Sequence, residues 1–159
     1  MSTLKVANIH FEATGTNRVE YVANNINFRT GGGNFTISVG GAETLNVNSS
    51  GIYDAKGEIR TPRLNDKSSS YTLTANDTGQ LISISTGNVF VTDSIFTAGQ
   101  GVKIYNNSAS AITITQNSAV TLYLGGTATT GNRTLAQRGL SDLLCVSANT
   151  FVTSGDGLT

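Results

Sequence analysis

The 159-residue chain is poor in groups that could move a proton, attack a substrate or hold a metal: it has one histidine, His10, and one cysteine, Cys145. A Ser-His-Asp or Cys-His relay would have to be built around His10. That residue lies between Ile9 and Phe11 in a strand-like stretch and reads as a surface or interface side chain. Cys145 sits in the apolar run Leu143-Leu144-Cys145-Val146 and reads as a small buried side chain. With one cysteine no intrachain disulfide can form, and no Cys/His cluster has zinc-ligand spacing. The acids Glu12, Glu20, Glu43, Asp54, Glu58 and Asp66 stand well apart in sequence. A pair of carboxylates could still be assembled from distant strands, so glycan cleavage is the one enzymatic alternative kept open. Otherwise the chain reads as no enzyme, with no cofactor. Gly31-Gly32-Gly33 lacks the Lys-Ser/Thr of a phosphate loop and precedes a strand. Asp156-Gly157 supplies one acid, too few for a calcium loop.

Composition narrows the partners. Ten Lys/Arg balance ten Asp/Glu, which argues against a nucleic-acid binder and against a polybasic membrane-surface module. Only 13% of residues are charged, against about 25% in an average protein. Polarity comes instead from Ser, Thr and Asn, roughly a third of the chain. Thr favours strands, and Ser and Asn favour turns. With 18 Gly and 1 Pro, the composition predicts many short strands joined by tight turns. The start, MSTLKVANIHF, has no apolar core of signal-peptide length, and no stretch is fit to span a bilayer. The expectation is a soluble protein made without export. Tyr71, Phe90, Phe96, Tyr105, Tyr123 and Phe151 fall on or beside predicted strands, where core packing explains them. The chain has no Trp to serve as a sugar-stacking platform.

The elements that must position these residues begin with a repeat. Displaced by 26 positions, NIHFEATGTNRVEYVANNINFRTG (residues 8–31) lies over NFTISVGGAETLNVNSSGIYDAKG (residues 34–57) without a gap. Gly15 meets Gly41, Ile26 meets Ile52 and Gly31 meets Gly57. Ile9 falls on Phe35, Phe11 on Ile37, Val19 on Leu45 and Tyr21 on Val47. At the corner Asn25 meets Gly51, two residue types that tolerate positive φ. Each copy predicts a strand (9–13; 35–39), a Gly-containing turn, a second strand (18–22; 44–48) and a third short piece (26–29; 52–54). The apolar residues alternate with period two.

The pattern lapses in EIRTPRLNDKSSS, which holds Pro62, a residue that cannot sit inside a central strand. Residues 1–66 are therefore read as one region, 67–70 as a linker and 71–159 as a second domain. The second domain predicts strands at 71–75, 81–85, 89–92, 102–105, 111–115, 120–124, 143–147 and 150–153. Turn signals such as NDTG, TAGQG and GGTATTGN separate them. Ile82, Ile84, Ile112 and Ile114 are expected to face inward, with Ser83, Ser85, Thr113 and Thr115 outward. Residues 133–144, RTLAQRGLSDLL, are the best helical candidate, a single turn interrupted by Gly139. The fold class is all-β: short hairpin repeats followed by an antiparallel β-sandwich or jelly-roll-like domain.

GGAETLNVNSSGIYDAKG resembles the repeated segment of many tailed-phage fibre proteins, in which a Gly-rich turn, an alternating strand and a Ser-Ser-Gly corner recur. MSTLKV is similar to the start of numerous fibre-like phage proteins. The region from SYTLTANDTGQLISIS to LLCVSANTFVTSGDG resembles a β-rich domain at the ends of such fibres, with a Tyr-Thr-Leu start, an Asp-X-Gly turn and a closing hairpin.

The resemblance implies a homotrimer, since three chains of that family commonly interleave their strands. A small repeat that cannot close its own core gains one by sharing it about a three-fold axis. The expected trimer-interface residues are Ile9, Phe11, Val19, Tyr21, Ile26, Phe35, Ile37, Leu45, Val47 and Ile52. The expected function is a virion surface protein of a tailed phage: a trimeric capsid decoration (cement) protein or short head fibre, made in the host cytoplasm. Its partners would be the major capsid protein or other virion proteins, not nucleic acid and not a membrane. The alternative is a tail fibre or receptor-binding tip, which would add a host surface glycan or receptor as partner.

Overall fold

The computed structural model describes residues 18–22, 25–29, 34–39, 42–55, 57–59 and 61–159. The predicted strand at 9–13, with His10, Ile9 and Phe11, lies outside them. The chain divides into two compact units, Met1–Thr61 and Pro62–Thr159, and the described residues bear out the all-β expectation.

In the first unit β1 (Arg18–Val22) and β2 (Asn25–Arg29) form an antiparallel hairpin. A four-stranded antiparallel sheet follows, in the order β3 (Phe35–Val39), β4 (Ala42–Asn48), β5 (Gly51–Asp54), β6 (Gly57–Glu58). The two hairpins share one register at the repeat distance. Val22 opposite Asn25 becomes Asn48 opposite Gly51, Tyr21 opposite Ile26 becomes Val47 opposite Ile52, and Val19 opposite Phe28 becomes Leu45 opposite Asp54. The second corner shows why such a loop turns tightly. The amides of Ser50 and Gly51 donate to Asn48 Oδ1 at 2.8 and 3.2 Å, closing an Asx turn.

The second unit carries nine strands: β7 (Leu64–Lys67), β8 (Tyr71–Thr72), β9 (Leu81–Ile84), β10 (Val89–Val91), β11 (Gly101–Asn106), β12 (Ile112–Gln116), β13 (Thr121–Leu124), β14 (Arg133–Ser147) and β15 (Thr150–Leu158). A 3-10 turn, Ala75–Asp77, lies between β8 and β9. Strand pairing begins at Leu64, so the expected linker at 67–70 is a corner inside this unit, and the units part beside Pro62.

The sheet order is β7-β9-β11-β14-β12-β10-β8, with β15 added to β14 and β13 to β15. The pairing is mixed rather than wholly antiparallel. β7, β9 and β11 run parallel, as do β8, β10 and β12, and β13 with β15. Evenly spaced short strands read as hairpins from sequence, yet each strand here joins its next-but-one neighbour. A parallel pair needs a connection of about a dozen residues or more, and here that connection contains the strand of the opposite wall. β14 is antiparallel to both walls: Arg133 to Leu135 pair with β12, and Leu140 to Leu144 with β11. The sheet thus folds over at β14 into a nearly closed, barrel-like shape.

β14 also replaces the expected helical turn at 133–144. Inward positions alternate through Arg133 and Leu135, then through Ser141, Leu143 and Cys145. Between them the register shifts, and Arg138 takes a φ of 63°. This bulge breaks the period of two and leaves an apolar spacing that mimics a helix.

Ile82, Ile84, Val102 and Ile104 from one wall meet Val89, Val91, Ile112 and Ile114 from the other in a single core that also takes Leu143, Cys145 and Phe151. The buried core is thus complete within the second unit. Asn106 fixes the corner where β14 passes from wall to wall. Its Nδ2 donates to the carbonyls of Ser110, Leu135 and Ala136 at 2.8–2.9 Å. Its Oδ1 accepts from Ser108 N and Oγ.

Candidate functional site

Three described residues that could do chemistry, Cys145, Asp77 and Arg133, are held in structural hydrogen bonds. Cys145 is fully buried, and its Sγ donates to the carbonyls of Phe96 and Ser147. Burial pushes the thiol above its ordinary pKa, away from the reactive thiolate. Asp77 is the most buried acid of the described residues. Its carboxylate accepts from Asn65 Nδ2, from the Tyr71 hydroxyl and from Thr74 N and Oγ1, all within 3.1 Å. Four neutral donors tie β7, β8 and the following turn together through it. Desolvation, then the bond to Asp77, raises the Tyr71 pKa. Arg133 is buried too, its guanidinium donating to the carbonyls of Leu122 and Thr129 at 3.3 and 2.6 Å. No group of three or more His, Cys, Asp or Glu stands close enough to hold a metal among the described residues.

The candidate site is instead a surface. Directly paired residues of neighbouring strands point to the same side of a sheet. Phe35 pairs with Val47, which pairs with Ile52; Ile37 pairs with Leu45, which pairs with Asp54. Phe35, Ile37, Leu45, Val47 and Ile52 therefore share one face of the β3–β6 sheet, with Asp54 at its rim. Ile37 is 44% and Val47 36% exposed, while Phe35, Leu45 and Ile52 are half-buried. The opposite face carries Thr36, Asn46 and Tyr53. Among residues 34–38, 42, 44–55, 57–59 and 61, Asn46 is the one buried side chain. Full burial of a Val, Leu, Ile or Phe side chain is worth about 1.5–3 kcal/mol. Five such residues left half in water retain several kcal/mol, to order of magnitude, that this chain alone does not realise.

Of the ten interface residues expected from sequence, the structure brings five together on this face. Val19, Tyr21 and Ile26 occupy the equivalent register positions of β1 and β2; Ile9 and Phe11 lie outside the described residues. Sequence reasoning missed a second apolar surface, on β14. Leu140, Leu144 and Val146 point outward there, opposite in sense to Leu143 and Cys145. The signal was present in Leu143-Leu144-Cys145-Val146, which is apolar at both parities and so marks a strand apolar on both faces. Beside Leu144, Pro62, Gly79 and Gly101 line an apolar slot of about 300 Å³. Gly101 is required where it stands, because a Cβ there would lie 2.5 Å from the Leu143 carbonyl oxygen.

Fold and surface together define an all-β protein whose first unit presents a partly exposed apolar sheet face and whose second unit has its own core. Neither protein-family models nor curated proteins match the chain.

Proposed function

We propose that this chain is a structural protein of a tailed-phage virion surface, a homotrimeric capsid decoration (cement) protein or short head fibre, with no enzymatic role. The observation that supports this reading is the apolar face of Phe35, Ile37, Leu45, Val47 and Ile52, which this chain leaves half-buried to exposed. Domains near 60 residues are marginal alone, and smaller ones usually depend on disulfides, metals or oligomerisation. The lone cysteine lies in the other unit, and no metal cluster is present among the described residues. Association of copies would bury that face, and the formal net charge of zero leaves little charge repulsion to oppose it. In this reading the first unit supplies trimer contacts and attachment to the major capsid protein, and the second faces outward.

Quantified mass spectrometry of purified virions tests the proposal. Copy numbers close to the number of capsid three-fold sites are expected. A count matching tail or portal proteins would replace it with the tail-fibre or receptor-tip alternative, and absence from the particle would end both.

A further inference from the structure

β7 and β8 are the two ends of the sheet order, and no ladder joins them among the described residues. The Asp77 carboxylate bridges this seam, accepting from Asn65 Nδ2 of β7 and from the Tyr71 hydroxyl of β8. A cavity of about 290 Å³ opens here, and Arg63, Asn65, Tyr71, Asn76, Asp77 and Gln80 line it. Its volume is at the small end of ligand pockets, about 300–1,000 Å³, and most such pockets are apolar. This one has room for a single ring-sized unit and is polar on nearly every side. Asp77 is 2% exposed, and five hydrogen bonds fill its two oxygens. It therefore acts as a fixed support that holds Asn65 and Tyr71 in place and keeps no lone pair for a cation. The wall carries one charge of each sign, Arg63 and Asp77, so it selects no ligand by net charge. Asn65 Nδ2 and Gln80 Nε2 are held by Asp77 and by the Asn76 carbonyl. Asn65 Oδ1, Gln80 Oε1 and the Asn76 side-chain amide make no hydrogen bond to another described residue.

We infer that the seam cavity binds one neutral sugar residue of a glycan, through hydrogen bonds to Asn65, Asn76 and Gln80. The occupant must be uncharged and must bring several polar hydrogens within the width of one ring. A peptide brings one backbone donor per residue, spaced about 3.3 Å apart along a strand. A sugar ring carries a hydroxyl on most of its carbons, and each hydroxyl both donates and accepts. The Lys67 ammonium stands over the Tyr71 ring, 4.1 Å from its centre, so recognition uses amides rather than stacking on that face. The cavity holds one carboxylate, where glycoside cleavage takes a pair, which makes it a site for binding rather than cleavage. A few neutral hydrogen bonds give weak binding at a single site, and copies of the chain held together would raise it by avidity.

An array of immobilised neutral and acidic glycans, densely displayed so that weak sites act together, tests the inference with the full chain. Binding to at least one neutral glycan is expected. Asn76→Ala, at an exposed position, should reduce that binding at least several-fold while the melting temperature stays unchanged, and Gln80→Ala should do the same. Binding that survives both substitutions would overturn the site. Binding confined to acidic glycans would overturn the neutral ligand, and binding to none would overturn the inference as a whole. A second measurement needs no variant. In residues 62–159, whose core is complete on its own, the side-chain amide NMR signals of Asn65, Asn76 and Gln80 should shift when the sugar of the bound glycan is added, and unshifted signals would overturn the site. The copy number of the chain on a particle is a separate quantity, so the virion reading and this one can fail independently.

Discussion

Val47 lies directly opposite Ile52 across the β4–β5 ladder, on a sheet face that the chain leaves open to solvent. The pair repeats the backbone register of Tyr21 and Ile26 in the preceding hairpin.

A charge on that face should disrupt assembly without unfolding the second unit. Val47→Asp is expected to weaken association by at least tenfold, which corresponds to about 1.4 kcal/mol, because an ionised carboxylate would be taken out of water without a partner. Sedimentation of the full chain measures the effect, and near-UV circular dichroism checks that the second unit is intact. An unchanged oligomer would show that the face is not an interface.

Asn106 makes a stability prediction in the second unit. Its Nδ2 serves three carbonyls and its Oδ1 serves Ser108. Asn106→Ala orphans buried polar groups that cost about 1–3 kcal/mol each, so a loss of roughly 2–3 kcal/mol is expected in urea unfolding of residues 62–159. Asn106→Asp should do no better, since it sets an oxygen against those carbonyls. A loss below about 0.5 kcal/mol would mean that water replaces the side chain freely.

Alkaline pH should destabilise the second unit. Burial raises the Cys145 pKa above its ordinary value of 9.0, so the folded state holds the thiol proton where the unfolded chain begins to release it. Stability from this group is fully present below pH 9.0 and declines as pH rises from there through the folded value. Tyr71, raised from 10.0 chiefly by desolvation, adds a second decline that begins higher. Melting temperatures of residues 62–159 should fall as pH rises above about 9, and Cys145→Ala should flatten the earlier part of that fall. An identical slope in the variant would assign the effect elsewhere.

Much of the first unit was legible because hairpin register is local. The coincidence of Asn25 with Gly51 and Tyr21 with Val47 at one spacing announced two corners with the same strand pairing. The five residues of the open face could be named for the same reason: period-two alternation assigns faces directly. In the second unit the same alternation identified Ile82, Ile84, Ile112 and Ile114 as inward, but it carries no information about which strand lies alongside. Ile82 pairs with Ile104, and Val89 with Ile114, across intervening strands, and no local pattern encodes that. The β14 bulge was illegible for a related reason. Its Leu135 and Leu140 both belong to a strand, but the shift between them erases the alternation by which a strand is recognised.

The long reach of β14 has a consequence for the order of folding. Six earlier strands stack into two walls, yet the strand that joins those walls is encoded at residues 133–147, after all of them. On a ribosome the walls would emerge with their last-made edges, β11 and β12, unpaired, and neither could be covered until β14 followed. Folding of the second unit should therefore be a late event that waits for β14 and is slowed by the closure of distant contacts.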